Sequence, residues 1–178
     1  MKHIFLLLLI ALSVSTIMLQ GCVEQTDEVL VTASINLLGF RSDELPDGVT
    51  KLIEDFDDTE TPLYFPNNVT VTIRERYIVS YGFNETQQVL FLEMQKCNST
   101  EEARSLFGQN KDDFFTSSGY QIISAEEIAD ESVMGKLASH YNIIFRKFNI
   151  VSTLDAEVSQ QAAIDYAKII INHIESSL

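Results

Sequence analysis

The chain has 178 residues and a formal net charge of −14 at pH 7, from 12 Lys and Arg against 26 Asp and Glu. Affinity for nucleic acids comes largely from basic side chains that displace counterions from phosphates, so this charge argues against nucleic-acid binding. The length predicts one domain with a single core.

The first 21 residues have the organisation of a signal peptide. Lys2 and His3 precede the almost wholly aliphatic stretch 4–12, and no charged residue follows until Glu24. A membrane-spanning helix needs about 20 mostly apolar residues, whereas this segment becomes polar after Leu12. We therefore predict that residues 1–21 are cleaved, in preference to the alternative that they remain as an uncleaved anchor.

The segment ends in LQGC, in which Leu19 and Gly21 precede Cys22. These residues resemble the lipobox of prokaryotic lipoproteins, although Gln20 departs from the small residue usual at its place. The resemblance implies that Cys22 begins the mature protein and carries a lipid, which would anchor it on the extracytoplasmic side of the cell membrane. The alternative is a disulfide between Cys22 and Cys97. Residues 22–28 are polar and predict a tether to a globular domain at 29–178.

Three N-x-S/T sequences favour an extracytoplasmic protein. They begin at Asn68, Asn84 and Asn98, each at a predicted loop or element boundary, where an N-glycosylation acceptor would be exposed. The alternative is that Asn and Thr are simply common in turns.

The first half of the domain predicts mostly strands. Residues 29–40 are apolar and fit either a helix or a strand, and we favour the helix; Pro46 with Asp47-Gly48 then marks a turn. A short strand or bend is expected at 50–53, followed by an acidic loop. Residues 69–83 alternate with a period of two, which indicates a strand with one buried face, and 87–97 is a more continuously apolar strand that should pair with it as a hairpin. Tyr77, Tyr81 and Phe83 share one strand face, which favours core positions for them.

The second half adds helices and further strands. Ser99 and Glu102 have the spacing of a capping box and begin a predicted helix at about 100–115. A short strand at 120–124, an exposed acidic connection at 125–137 and a hairpin within 140–154 follow. The chain ends in an amphipathic helix at about 159–176. We therefore predict an α+β fold, with an antiparallel sheet of about five to seven strands and covering helices.

The second half of the chain resembles known proteins in the order of its helices and strands. FLEMQKCNSTEEARSLF, IADESVMGK, YNIIFRKFNIVSTL and the final helix are similar to a pattern in uncharacterised archaeal surface lipoproteins, and to the α/β/α sandwich of Mog1-like and PsbP-like proteins. The similarity covers roughly residues 87–175. It implies a layered fold and brings no catalytic residues.

Few residues of the sequence suggest chemistry. His140 and His173 belong to no zinc-binding motif, and no phosphate-binding glycine loop or nucleophile elbow occurs. Five acids in seven residues could supply calcium ligands, against the alternative of a solvated loop; they are Glu54, Asp55, Asp57, Asp58 and Glu60. We expect no cofactor.

These observations predict a location more specifically than an activity. We expect a lipid-anchored, non-enzymatic binding or interaction module whose ligand, a protein or a small molecule, the sequence does not name. The alternative is a structural or accessory subunit of a cell-envelope assembly. An enzyme is the third and weakest hypothesis.

Overall fold

The computed structural model describes residues 28–83, 87–123 and 127–178. Eight strands occur in these ranges: β1 Val49–Asp57, β2 Thr61–Phe65, β3 Val69–Phe83, β4 Gln87–Cys97, β5 Gln121–Ile123, β6 Glu131–Leu137, β7 His140–Lys147 and β8 Ile150–Ala156. Two α-helices accompany them, α1 Thr100–Ser117 and α2 Gln160–Ser176.

All eight strands form one antiparallel sheet in the order β1-β3-β4-β8-β7-β6-β5, and β2 pairs with β3 beyond the end of β1. The hairpin between β3 and β4 and the hairpin between β7 and β8 are both confirmed. The α+β prediction is therefore correct, with one strand more than the upper limit expected.

The sheet lies between two covering layers. On one face, α2 and the segment 31–45 enclose the larger core, which includes Tyr77, Tyr81 and Phe145. On the other face, the N-terminal half of α1 packs Ala103, Leu106 and Phe107 against a smaller cluster. Because strand side chains alternate between faces, adjacent residues such as Ile143 and Ile144 serve different clusters.

The helix expected at residues 29–40 is wrong. This segment is irregular apart from a 3-10 turn at Ile35–Leu37. Side chains of the sheet and of the turn between β7 and β8 hold its backbone: Asn149 Oδ1 accepts from Val31 N at 2.8 Å, and Glu75 Oε2 accepts from Ile35 N at 2.8 Å. Lys96 Nζ donates to the carbonyl of Ala33 at 2.9 Å. These distant side chains satisfy backbone groups that a helix would have paired internally.

Two predicted loops are also wrong in part. The connection expected at 125–137 contains β6, whose Glu131 accepts from Arg146 Nε at 2.5 Å. The acidic loop expected after residue 53 is instead strand β1 as far as Asp57. Because β1 is an edge strand, it buries little of either face, and acids occupy several of its exposed positions. Its sequence therefore lacks the alternation of apolar and polar residues that identifies a strand.

The helix caps follow the sequence signals with one change. Ser99 Oγ accepts from Glu102 N at 3.1 Å, as expected, and Ser159 Oγ caps α2 in the same way at Ala162 N. Glu102 does not return to Ser99 N, however; its Oε2 accepts from Thr72 N at 3.0 Å and from Asn98 N at 3.4 Å. The second half of the capping box is thus replaced by a link between α1 and β3.

Candidate ligand-binding cleft

A cleft of about 530 Å³ opens between the sheet and the C-terminal half of α1, and we call it the α1 cleft. Its volume falls within the usual range for small-molecule sites. Strands β4, β7 and β8 form its floor, and α1 forms one wall. The lining residues are Gln88, Phe91, Glu93, Gln95, Asn110, Asp113, Phe114, Asn142, Ile144, Thr153 and Asp155.

The cleft exists because both facing surfaces become polar along α1. The first turns of the helix present Ala103, Leu106 and Phe107 to an apolar part of the sheet. One to two turns later the inward positions are Asn110 and Phe114, and the sheet below presents polar side chains. Polar surfaces gain little from close packing, so a cleft remains here, and Asn110 Nδ2 of α1 donates to Gln95 Oε1 of β4 at 3.2 Å.

One cross-strand row forms the centre of the floor. Phe91 of β4 lies beside Asp155 of β8, which lies beside Asn142 of β7. Directly opposed residues of an antiparallel sheet project from the same face, so all three side chains face α1. The register therefore brings together an aromatic ring, a carboxylate and an amide that are up to 64 residues apart in sequence.

Asp155 is the centre of a hydrogen-bond network. Its Oδ2 accepts from Tyr120 Oη at 2.5 Å and from Asn142 Nδ2 at 3.4 Å, and its Oδ1 lies 3.1 Å from His140 Nδ1. Burial, with the Asp155 carboxylate as acceptor, raises the pKa of the Tyr120 hydroxyl, which therefore remains a proton donor. The network fixes the Asp155 carboxylate in place at the cleft floor.

Asn142 carries an unused acceptor in the same row. The residue is only 2% exposed, and its Oδ1 has no hydrogen-bond partner among the described residues. Rotating the amide would place its oxygen against the Asp155 carboxylate, so the contact from Nδ2 fixes Oδ1 as the unpartnered atom. A buried acceptor without a donor costs about 1–3 kcal/mol. A donor from a ligand would remove that cost.

Aromatic side chains build the end of the cleft. The rings of Phe114 and Tyr120 lie 4.7 Å apart, and Phe114 also meets Phe115 edge to face at 5.1 Å. Phe115 packs over Gly135, where an added Cβ would approach its ring to 2.3 Å. Gly135 thus permits the close approach that positions this aromatic group.

The sequence contains signals for this cleft that the predictions from sequence missed. Asn110 lies within the predicted apolar stripe of α1, and residues 91, 93 and 95 alternate Phe, Glu and Gln against buried Leu90, Leu92 and Met94. A central strand with one polar face under a helix indicates a solvated space. The sequence could not show that β7 and β8 add Asn142 and Asp155 to the same row.

The structure does not bring the five candidate calcium ligands together. Glu54 accepts from Lys51 and Tyr77, Asp57 accepts from Thr59 N, and Glu60 accepts from Arg74. Asp55 and Asp58 are exposed. Within the described ranges, no group of three or more His, Cys, Asp or Glu side chains could hold a metal ion. The calcium prediction therefore gains no support.

The other predicted site residues lie apart from the cleft or outside the described residues. Asn68 and Asn98 are exposed, at the start of β3 and between β4 and α1. Asn84 and Cys22 lie outside the described residues, so glycosylation at Asn84 and lipidation at Cys22 stay predictions. Cys97 is a fully buried thiol, and burial raises its pKa to about 12.

The two histidines of the domain have different surroundings. His140 contacts Asp155 at the edge of the cleft. His173 of α2 instead holds the N-terminal segment, since its ring nitrogens lie 2.8 Å from Glu44 Oε1 and 3.1 Å from the carbonyl oxygen of Leu38. His140 is thus the histidine near the candidate site.

No protein-family model matches the sequence, and no curated protein matches it. Among solved structures, the chain is similar to the extracellular domain of PknH from Mycobacterium tuberculosis, with a TM-score of 0.50 and 9% identity, over 79% of this chain and 94% of that one. A GTP-binding regulator from Thermotoga maritima matches with a TM-score of 0.38 and 8% identity, over 71% of this chain and 80% of its own. The likeness to the PknH domain is one of fold alone.

None of the helices among the described residues is long and apolar enough to cross a membrane.

Proposed function

We propose that this protein is a lipid-anchored, extracytoplasmic binding domain that holds a small polar ligand in the α1 cleft without transforming it. The observation that carries the proposal is the buried Asn142, a residue of the cleft lining whose Oδ1 has no donor among the described residues. Ligand sites in proteins combine apolar walls with a few fixed polar groups. Phe114 supplies an apolar wall, Phe91 supplies an apolar part of the floor, and Asp155 and Asn142 supply the polar groups.

The network around Asp155 supports binding as the role of the site. Tyr120, His140 and Asn142 all contact this one carboxylate, and the last two come from strand β7. Side chains on strands are held more rigidly than side chains on loops. Such an arrangement recognises a ligand with little ordering cost when the ligand arrives.

The position of Glu28, where the described residues begin, supports display of the cleft away from a membrane. Glu28 accepts a hydrogen bond from the amide of Thr100, so the tether 22–28 would join the domain beside the start of α1. The cleft is lined by Phe114, and 14 helical residues span about 21 Å. If a lipid on Cys22 anchors the protein, the cleft would therefore lie near the far end of α1 and open to the exterior.

Solution NMR of the isotopically labelled full-length chain in detergent micelles tests this proposal. We expect some members of a library of small polar metabolites to shift the Asn142 side-chain amide signal and the backbone signals of residues 153–155. The Asn142→Leu variant removes the acceptor and should lose the response, whereas Asn172→Leu on the exposed surface of α2 should keep it. A library that moves none of these signals would overturn the proposal.

A second candidate, a structural subunit of an envelope assembly, is favoured by the uncovered β1–β2 edge. Ile53 is 63% exposed and Tyr64 is 79% exposed there. Exposed apolar side chains on an edge strand are typical of a pairing surface. Light scattering with Ile53→Lys tests this candidate: a native assembly that becomes monomeric supports it, and a monomeric native chain contradicts self-association through this edge.

A further inference from the structure

We propose that the ligand of the α1 cleft carries a protonated primary or secondary amine. This inference rests on the proposed function and adds the chemical class of the ligand. It follows from three features of the cleft: its charge, its unused acceptor and its aromatic walls.

The charge of the cleft is the first feature. Its described lining contains the carboxylates of Glu93, Asp113 and Asp155, and none of the described lining residues is Lys or Arg. Arg76 does reach Glu93, with Nε 2.8 Å from Oε1, but this arginine is half exposed at the surface. With a chain charge of −14 around it, the cleft repels anions and attracts cations.

The groups that surround the Asp155 carboxylate also favour a cationic ligand. Its carboxylate accepts from the neutral Tyr120 hydroxyl and from the neutral Asn142 amide, while His140 is the ionisable group beside it. His140 comes from β7; from α1 the neighbouring charge is Asp113, and from β4 it is Glu93. No permanent cation among the described residues contacts Asp155, so a ligand cation would supply the missing countercharge.

Asn142 Oδ1 restricts which cations fit. A buried acceptor of this kind requires an N–H or O–H donor. A quaternary ammonium has no such donor, whereas a primary or secondary ammonium has two or three. One N–H can be directed to Asn142 Oδ1 while another is directed to the Asp155 carboxylate, because these residues are direct neighbours across the strands.

The walls favour an organic cation over a metal ion. Phe91 and Phe114 line the cleft, and an ammonium group near an aromatic face gains cation–π attraction, while the methylenes beside it gain apolar contact. The described residues contain no grouping of three metal-ligating side chains. An amine on a short carbon chain or a sugar ring matches both the carboxylates and the rings.

Matched pairs of probes test the inference on the full-length chain in detergent micelles. 1,5-Diaminopentane and 1,5-pentanediol have the same length and both donate hydrogen bonds, but only the diamine is charged; glucosamine and glucose form a second pair. We expect each amine to bind at least about tenfold more tightly than its neutral partner, the ratio typical of a charge-assisted hydrogen bond. The readout is titration of the backbone amide signals of residues 153–155, which every variant retains.

Two site variants and a control variant distinguish binding in the cleft from nonspecific electrostatic binding to an acidic protein. Asp155→Asn removes the central charge, and Asn142→Leu removes the acceptor; each should weaken diamine binding about tenfold or more. Asp112→Asn removes one charge from the exposed side of α1 and should leave binding within twofold. The melting temperature of each variant confirms that it is folded, and Glu93→Gln replaces either site variant that is not.

The outcomes distinguish the ligand class from the proposed function. Neutral probes that bind in the cleft as tightly as the amines would overturn the amine proposal and leave the binding function intact. Equal weakening by Asp112→Asn and Asp155→Asn would also overturn it, because binding would then be diffuse. If neither probe pair nor the metabolite library moves the cleft signals, both proposals fail.

Discussion

Replacing Lys96 with Met should destabilise the domain strongly, because Lys96 neutralises a buried carboxylate beneath the N-terminal segment. Its ammonium lies 2.5 Å from Glu75 Oε1, and the two side chains are only 7% and 17% exposed. It also donates to the carbonyl of Ala33, while Glu75 accepts from Ile35 N. The substitution leaves the Glu75 charge buried without its countercharge.

The expected loss is about 3–5 kcal/mol of unfolding free energy, which is the usual cost of breaking a buried ion pair from one side. For a domain of this size, 1 kcal/mol corresponds to about 2–4 °C, so the melting temperature should fall by at least about 6 °C. Urea denaturation of the full-length chain, followed by circular dichroism, measures the free energy directly.

The exposed pair of Lys51 and Glu54 provides a matched control. These side chains also approach to 2.7 Å, but both are 44% exposed, so Lys51→Met should cost less than about 1 kcal/mol. The double variant Lys96→Met with Glu75→Gln should recover part of the loss, because it removes the unpaired charge. A Lys96→Met loss no larger than that of Lys51→Met would refute this account of the N-terminal segment.

Three further predictions concern single positions. Gly135→Ala should destabilise the domain by about 1–3 kcal/mol, because the new methyl group meets the Phe115 ring. Gly108→Ala should instead stabilise α1 by about 0.5–1 kcal/mol, because nothing lies within 4 Å of the added methyl group. Thermal melting compares the two variants. Cys97 should resist iodoacetamide at pH 8 and react fully in guanidinium, because burial raises its pKa to about 12 and leaves roughly one thiol in ten thousand ionised. Cys22→Ser should move the protein from the membrane fraction to the soluble fraction if lipidation at Cys22 is its anchor.

Each of these predictions has a contradicting result. Equal melting temperatures for the two glycine variants would refute the close packing at Gly135. Rapid alkylation of native Cys97 would show that the cluster beneath α1 opens readily. Unchanged membrane association of the Cys22→Ser protein would exclude the lipid anchor and favour an uncleaved leader.

The fold was predictable from the sequence where each element has one clear pattern. The alternation of residues 69–83 and the stripe of α2 determine a strand and a helix locally, and both occur where expected. β1 was predicted too short because it is an edge strand with acids on both faces. Residues 29–40 were predicted wrongly because Asn149, Glu75 and Lys96, all distant in sequence, hold their backbone.

The candidate site was less predictable than the fold, because it depends on strand register. The acids at residues 54–60 are conspicuous in the sequence, yet Glu54, Asp57 and Glu60 have separate partners, and the other two acids are exposed. Asn142 and Asp155 are inconspicuous, and they become neighbours only when β7 pairs with β8. A row built from single residues of three strands, Phe91, Asp155 and Asn142, has no local sequence motif.

The central claim is that the α1 cleft binds a ligand through Asn142 and Asp155. The most direct measurement is the intermolecular nuclear Overhauser effect between bound 1,5-diaminopentane and the full-length chain. We expect cross-peaks from the methylene protons of the diamine to the Phe114 ring and to the Asn142 side-chain amide, and their loss in the Asp155→Asn variant. Cross-peaks confined to residues outside the cleft, or unchanged in that variant, would contradict the claim.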